Sequence, residues 1–405
     1  MQTVSPLRYL PLFAAIFAIT PLAVDMYLPA MPAMANFFDT KITVVQLSLS
    51  LFLAGYALGM LCFGPLADHY GRKRFLISGL VGFVITSFAQ SQVTDIDLFN
   101  ALRFVQALCG GAATVTVPGT IRDLFGKETA KGIAYVSMAM MIAPMLAPTL
   151  GSLILTVAEW QSIFVILSIY ALFILLVTAK KFPFLPPKTR AHPKLFKSLA
   201  TSYKIVFSQV KCYPFLLTTM LTTFTFFTYI TSVSFVYISV YGISETVFGF
   251  LFGANVAALM LGNLINAKLV SRIGPLRMLR FCLIGAAVFA FLLCFILVTT
   301  SPIEWAVTAL LFLMLHLMII STNSDAMVLM TFPNQSGTAT AIIGTLKFGS
   351  GACAGLLLSV FHDGTAAPFG YIVAGTVSLL VITQLVSWRF VQSIGDYATD
   401  SQNID

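Results

Sequence analysis

The sequence predicts an all-α polytopic membrane protein whose twelve transmembrane helices form two six-helix bundles. Three observations carry this: a composition too apolar for water, twelve apolar stretches of membrane-crossing length, and a one-sided distribution of lysine and arginine. Of 405 residues, 58% are hydrophobic and 9% are charged, with a mean hydropathy of +0.93. A soluble domain carries about a quarter of its residues charged, so this chain has too little polar surface to face water. The net charge of +8 is dispersed over an apolar chain. That argues against a nucleic-acid partner and for charge as a determinant of membrane orientation.

A hydrocarbon core of about 30 Å takes roughly 20 residues of helix to cross. Apolar stretches of that size run at about 9–35, 44–67, 75–93, 97–121, 132–157 and 161–180, then at about 213–240, 246–270, 277–300, 303–328, 337–361 and 367–390. The first follows Arg8 and ends among small residues, as a signal peptide does. Asp25 and three prolines in its apolar half, with eleven further spans behind it, mark it instead as a retained helix. The six cysteines stand singly, without a CxxC pair or a histidine cluster. They read as small apolar residues rather than as disulfides or metal ligands.

Basic residues gather in alternate loops: Arg72, Lys73 and Arg74; Arg122, Lys127 and Lys131; and eight in a row from Lys180 to Lys211 with no acid among them. The opposite turns hold Asp39, Asp95, Asp97, Glu159, Glu245, Glu304 and Asp363. The positive-inside rule puts both termini and the central loop in the cytoplasm. The expected organisation is a bundle over 1–180, a cytoplasmic loop over 181–212, and a second bundle with a short tail over 213–405. The two halves look related, since Leu66, Gly71 and Arg74 match Leu269, Gly274 and Arg277 at one fixed offset. Two related bundles rocking about a site at their interface is the alternating-access arrangement.

The run Gly64-Pro65-Leu66-Ala67-Asp68-His69-Tyr70-Gly71-Arg72-Lys73 resembles the loop signature of the major facilitator superfamily. Pro21-Leu22-Ala23-Val24-Asp25-Met26-Tyr27-Leu28-Pro29, followed by Pro32, is similar to the first-helix signature of its Bcr/CflA branch of drug:proton antiporters. Phe332-Pro333, Gly337-Thr338-Ala339 and the segment around Lys347 resemble that branch's tenth and eleventh helices. The resemblance covers essentially the whole chain and implies the major facilitator fold in a bacterial inner membrane. Members export varied antibiotics, bicyclomycin and phenicols among them, in exchange for protons. It further implies a latch in which Asp68 faces Gly337, Gly71 makes the turn, and Arg72 pairs with Asp123. Pro144 and Pro148 fall in a segment resembling the antiporter motif of the fifth helix, with some glycines replaced. Arg103-Phe104-Val105-Gln106-Ala107 stands where the wider family has Arg-x-x-Gln-Gly, with Ala107 in place of the glycine.

Ionisable residues inside spans are candidates for function. Asp25 lies about fifteen residues into the first helix, roughly 22 Å up, and Arg103 falls at the same depth in the fourth. The two are expected to pair or to line one cavity. Burial and a neighbouring arginine act in opposite senses on an aspartate's ionisation, so Asp25 and Arg103 are the candidates for proton coupling. Lys347 falls near the midplane, with Asp325 as a candidate partner. Met26, Tyr27, Tyr56, Met138, Met141, Phe224, Phe227 and Tyr229 are candidates, with Asp25, Arg103 and Lys347, for an adaptable substrate pocket. His316 is expected to be a hydrogen-bonded core residue.

No nucleophile–base pair, metal-ligand cluster or GxxxxGK[ST] run occurs. The expectation is therefore a transporter and not an enzyme, driven by the proton gradient without cofactor or metal, and monomeric in the bilayer. Its expected substrates are amphipathic drugs. The alternative on the same fold is proton-coupled transport of one endogenous solute.

Overall fold

The computed structural model describes residues 6–125, 129–182, 204, 208–332 and 336–387, which are helical almost throughout with no strand among them. Ten helices in this set are long and apolar enough to cross a membrane. Arg72–Gln90 and Thr129–Leu155 complete twelve spans. The third span is the least apolar because its first turn holds Arg72, Lys73 and Arg74. Helix ends fall within a few residues of the sequence boundaries, since apolar runs mark the hydrocarbon while helices continue to their caps. Outward-facing side chains are apolar: Phe173, Phe281, Ile284 and Trp305 are 64–67% exposed. Such a surface suits lipid.

Proline sets the breaks that matter. The first span runs as helix Leu10–Asp25, a 3-10 turn Leu28–Ala30 and helix Met31–Phe37. Pro29 has no N–H for the carbonyl of Asp25, four residues back, and its ring crowds that carbonyl. The helix therefore stops at Asp25. In the fourth span Pro118 stands in the same relation to Thr114, and helix Ile96–Thr114 gives way to Thr116–Phe125.

The internal repeat is visible in the backbone. Helices Ile42–Tyr70 and Glu245–Ile273 are each 29 residues long. Each ends at a glycine with positive φ, 103° at Gly71 and 86° at Gly274, and the next helix begins one residue later. A side chain at such a φ is strained, which explains glycine at both matched positions.

The chain forms two compact units. One comprises residues 1–191 with 230–256 and 355–360; the other comprises 192–229, 257–354 and 361–405. The sequence divides the chain at 181–212, whereas the packing joins the 230–256 and 355–360 segments to the first six spans. Within that first unit Gln46 Nε2 donates to the Thr231 carbonyl at 2.8 Å, and Ser152 Oγ donates to the Glu245 carbonyl at 2.7 Å. Thr149 Oγ1 reaches the Gly249 carbonyl at 3.3 Å. Gly151 lies so near the Met26 carbonyl that a Cβ there would overlap it, which locks the fifth span onto the break in the first. A cluster of Phe38, Phe99, Trp160 and Phe164 closes one end, with ring centroids 5.3–5.9 Å apart.

In the second unit buried amides and hydroxyls join the spans. Asn323 Nδ2 donates to Asn266 Oδ1 at 2.6 Å, Ser324 Oγ to the Phe215 carbonyl at 2.7 Å, and Gln384 Nε2 to Thr218 Oγ1 at 2.6 Å. In an apolar medium these bonds replace water that is absent.

Candidate functional site

Asp25 ends the first helical segment, 3% exposed, and its Oδ1 is buried with no hydrogen-bond partner. Among the described residues no cation lies within ion-pair distance of it. Arg103, the expected partner, is fully buried and engaged elsewhere. Its Nη1 donates to Gln106 Oε1 at 2.7 Å and its Nη2 to the Ala23 carbonyl at 3.1 Å. Its guanidinium lies between the rings of Tyr27 and Phe52, 4.3 and 4.5 Å from their centroids. The expected Asp25–Arg103 pair is therefore not formed. Both Nη atoms of Arg103 are taken by an amide and a carbonyl and two π faces flank it, while its buried Nε has no hydrogen-bond partner.

Gln106 extends this arrangement. Its Nε2 donates to Ser87 Oγ at 2.8 Å, and Gln90 Nε2 donates to Gln106 Oε1 at 3.3 Å. Gln106 belongs to the Arg-x-x-Gln motif read from the sequence, whereas Ser87 and Gln90 are not sequence candidates. Their signal was the spacing of three between Ser87 and Gln90, and between Arg103 and Gln106, which puts each pair on one helix face. Phe52 carries no such signal, being one phenylalanine among 36.

Around Asp25, Met26 is 3% exposed and Tyr27 is fully buried, with its hydroxyl 3.0 Å from Ser48 Oγ. Tyr56 shares a hydrogen bond of 2.8 Å with Thr114. Pro144 and Pro148 lie within helix Thr129–Leu155, and Pro148 heads the stretch packed on Gly249. The side chains of Met138, Met141 and Asp68, and Gly337, lie outside what the structure describes. Farther along the first unit Arg72 Nη1 donates to Asp123 Oδ2 at 2.6 Å, with Arg72 only 8% exposed and its guanidinium against Gly119. That pair is the one the loop motif implies.

The second unit holds a separate polar constellation. Lys347 Nζ donates to Asp325 Oδ2 at 2.5 Å, and Thr219 Oγ1 donates to Asp325 Oδ1 at 2.9 Å. These bonds link the seventh, tenth and eleventh spans. The Lys347–Asp325 partnership was expected; Thr219 was missed. Phe227 and Phe348 lie ring to ring at 6.0 Å, Phe224 is half-buried, and Tyr229 is buried. His316 bonds the Phe312 carbonyl of its own helix at 2.6 Å and packs against Gly285. It is hydrogen-bonded as expected but half-buried, so it is not a core residue. No group of three or more histidine, cysteine or acidic residues suited to a metal occurs among the described residues.

A family model described as Major Facilitator Superfamily matches residues 13–356. The chain is 28% identical over 378 residues to a bicyclomycin resistance protein homolog of Haemophilus influenzae, covering 92% of this chain and 93% of that one. It is 33% identical over 150 residues, 36% of each chain, to a chloramphenicol resistance protein of Pseudomonas aeruginosa. Among solved structures, the xylose transporter XylE from E. coli, in a partially occluded inward open conformation, aligns with a TM-score of 0.71. That match covers 95% of this chain and 98% of that one at 15% identity, which is a likeness of fold.

Proposed function

The chain belongs to the Major Facilitator Superfamily, and from that premise we propose that it exports amphipathic antibiotics, bicyclomycin-like and phenicol-like compounds among them, in exchange for protons. It is a multi-pass membrane protein. Its proposed setting is a bacterial inner membrane, with both termini cytoplasmic and the protein monomeric.

The observation that carries the proposed coupling is the Asp25 carboxyl, buried in a span without a partner. An acid in that position is expensive to keep unless it is used. It can take a proton and return it without breaking an ion pair, and the proline break beside it lets the two helical segments move. Alternating access then needs only that Asp25 be exposed to each side in turn, with drug and proton binding coupled reciprocally. Arg103 supports this role by fixing the fourth span to the Ala23 carbonyl, two residues from Asp25.

The test is an antibiotic panel in an efflux-deficient host, with and without an uncoupler. Broad, uncoupler-sensitive resistance is expected and disappears in Asp25→Asn. Resistance that survives the uncoupler would remove proton coupling, and a phenotype limited to one metabolite would favour the single-solute alternative.

A further inference from the structure

The second unit carries an ion pair that coupling through Asp25 does not use. Lys347 and Asp325 lie within membrane spans, yet their side chains remain 25% and 24% exposed. Both oxygens of Asp325 are occupied, one by Lys347 and one by the Thr219 hydroxyl. Lys347 is not satisfied in the same way. An ammonium has three N–H donors, and among the described residues Asp325 is its one side-chain partner. A cation with spare donors, open on one side inside a membrane protein, is a ready acceptor for negative charge. Phe348, the residue after Lys347, pairs its ring with Phe227 of the seventh span, the span that also carries Thr219. A cation and an aromatic pair carried by the same two spans match an amphipathic molecule with an aryl body and a carboxylate.

We propose that Lys347, held by Asp325 and Thr219, is an anion-selecting subsite that takes the carboxylate of amphipathic aryl substrates. This rests on the drug-export reading and extends it from neutral to acidic compounds. Asp325 has two duties there. It keeps Lys347 charged and oriented while the site is empty, and it competes with the incoming carboxylate for the ammonium. Thr219 holds Asp325 back on its far oxygen, leaving the other donors of Lys347 open. A neutral substrate can offer the ammonium only a carbonyl oxygen and depends on it far less.

The test uses dansyl-leucine and its methyl ester, which share the aryl body and differ in an ionised carboxylate against a neutral, methyl-capped ester, with the purified full-length protein. Binding follows from dansyl fluorescence, and transport is measured in proteoliposomes. The wild type is expected to prefer the acid. Lys347→Gln should weaken acid binding by about tenfold or more, the usual range for a lost charge-assisted hydrogen bond, and weaken the ester much less, so that the preference for the acid is lost. Lys347→Arg should keep the preference. Asp325→Asn removes the competitor and should tighten the acid severalfold and by more than the ester. The double variant Lys347→Gln/Asp325→Asn carries no unpaired charge; it should fold and show no preference. Equal binding of acid and ester by the wild type, binding of neither, or loss of both together in Lys347→Gln overturns the proposal. Such a result leaves export of neutral antibiotics standing, because the susceptibility panel reads that separately. Failure of the panel with an intact acid preference sinks the export reading instead.

Discussion

Replacing Asp25 with asparagine separates a carboxyl that carries a proton from one that holds helices together. Had Asp25 been paired with buried Arg103, asparagine would strand the guanidinium, and breaking a buried pair costs about 3–5 kcal/mol. In the structure Arg103 is held by Gln106, Ala23, Tyr27 and Phe52, and Asp25 Oδ1 has no partner. Asn is nearly isosteric and breaks no bond, so the expected loss of stability is under about 1 kcal/mol, a shift of no more than about 2 °C in Tm. The effect on transport should be far larger. One proton moving through 100 mV supplies about 2.3 kcal/mol, enough for roughly a fifty-fold drug gradient at about 1.4 kcal/mol per tenfold. In proteoliposomes with an imposed proton gradient, Asp25→Asn should reduce accumulation to the level of the external drug. In purified protein the fall of drug affinity with falling pH, expected of the wild type, should be absent from the variant. A drop in Tm of many degrees would refute the unpaired geometry. Proton-driven accumulation that persists in Asp25→Asn would refute the coupling assignment.

Arg103→Lys keeps the charge but loses the planar fork: one charge-assisted hydrogen bond and two ring contacts, together about 3 kcal/mol. Thermal melting in detergent should fall by several degrees, and an unchanged melt would show that the enclosure of Arg103 is dispensable. Arg72→Ala should slow transport while leaving drug affinity in purified protein nearly intact, and the swap Arg72→Asp with Asp123→Arg should recover part of the rate. A large affinity loss would instead move the pair into the binding site. Gly71→Ala and Gly274→Ala should each destabilise by about 1 kcal/mol or more, since alanine is strained at these φ values, and neutral melts in both would contradict the turn geometry. In a cysteine-free background, a cysteine at Lys188 should react with an impermeant maleimide only from the cytoplasm and one at Asp95 only from outside; labelling of both from one side would invert the topology.

Much of the fold was legible because the bilayer imposes one-dimensional constraints. Hydrocarbon thickness fixes span length, whereas the interruptions after Asp25 and Thr114 went unread within the stretches 9–35 and 97–121, although Pro29 and Pro118 withdraw the hydrogen bonds concerned. Gly71 and Gly274 stand at matched places because both turns need positive φ. The Arg72–Asp123 pair came through the resemblance, and the geometry agrees with it. What could not be read was direction within the membrane plane. Depth follows from a rise of 1.5 Å per residue, but azimuth turns by about 100° per residue and is reset at every proline break. Two charges read to one depth need not pair, as Asp25 and Arg103 do not. For the same reason only tertiary structure chose Tyr27 and Phe52 to enclose Arg103, joined Thr219 to Asp325 and Lys347, and drew residues 230–256 and 355–360 into the unit of the first six spans.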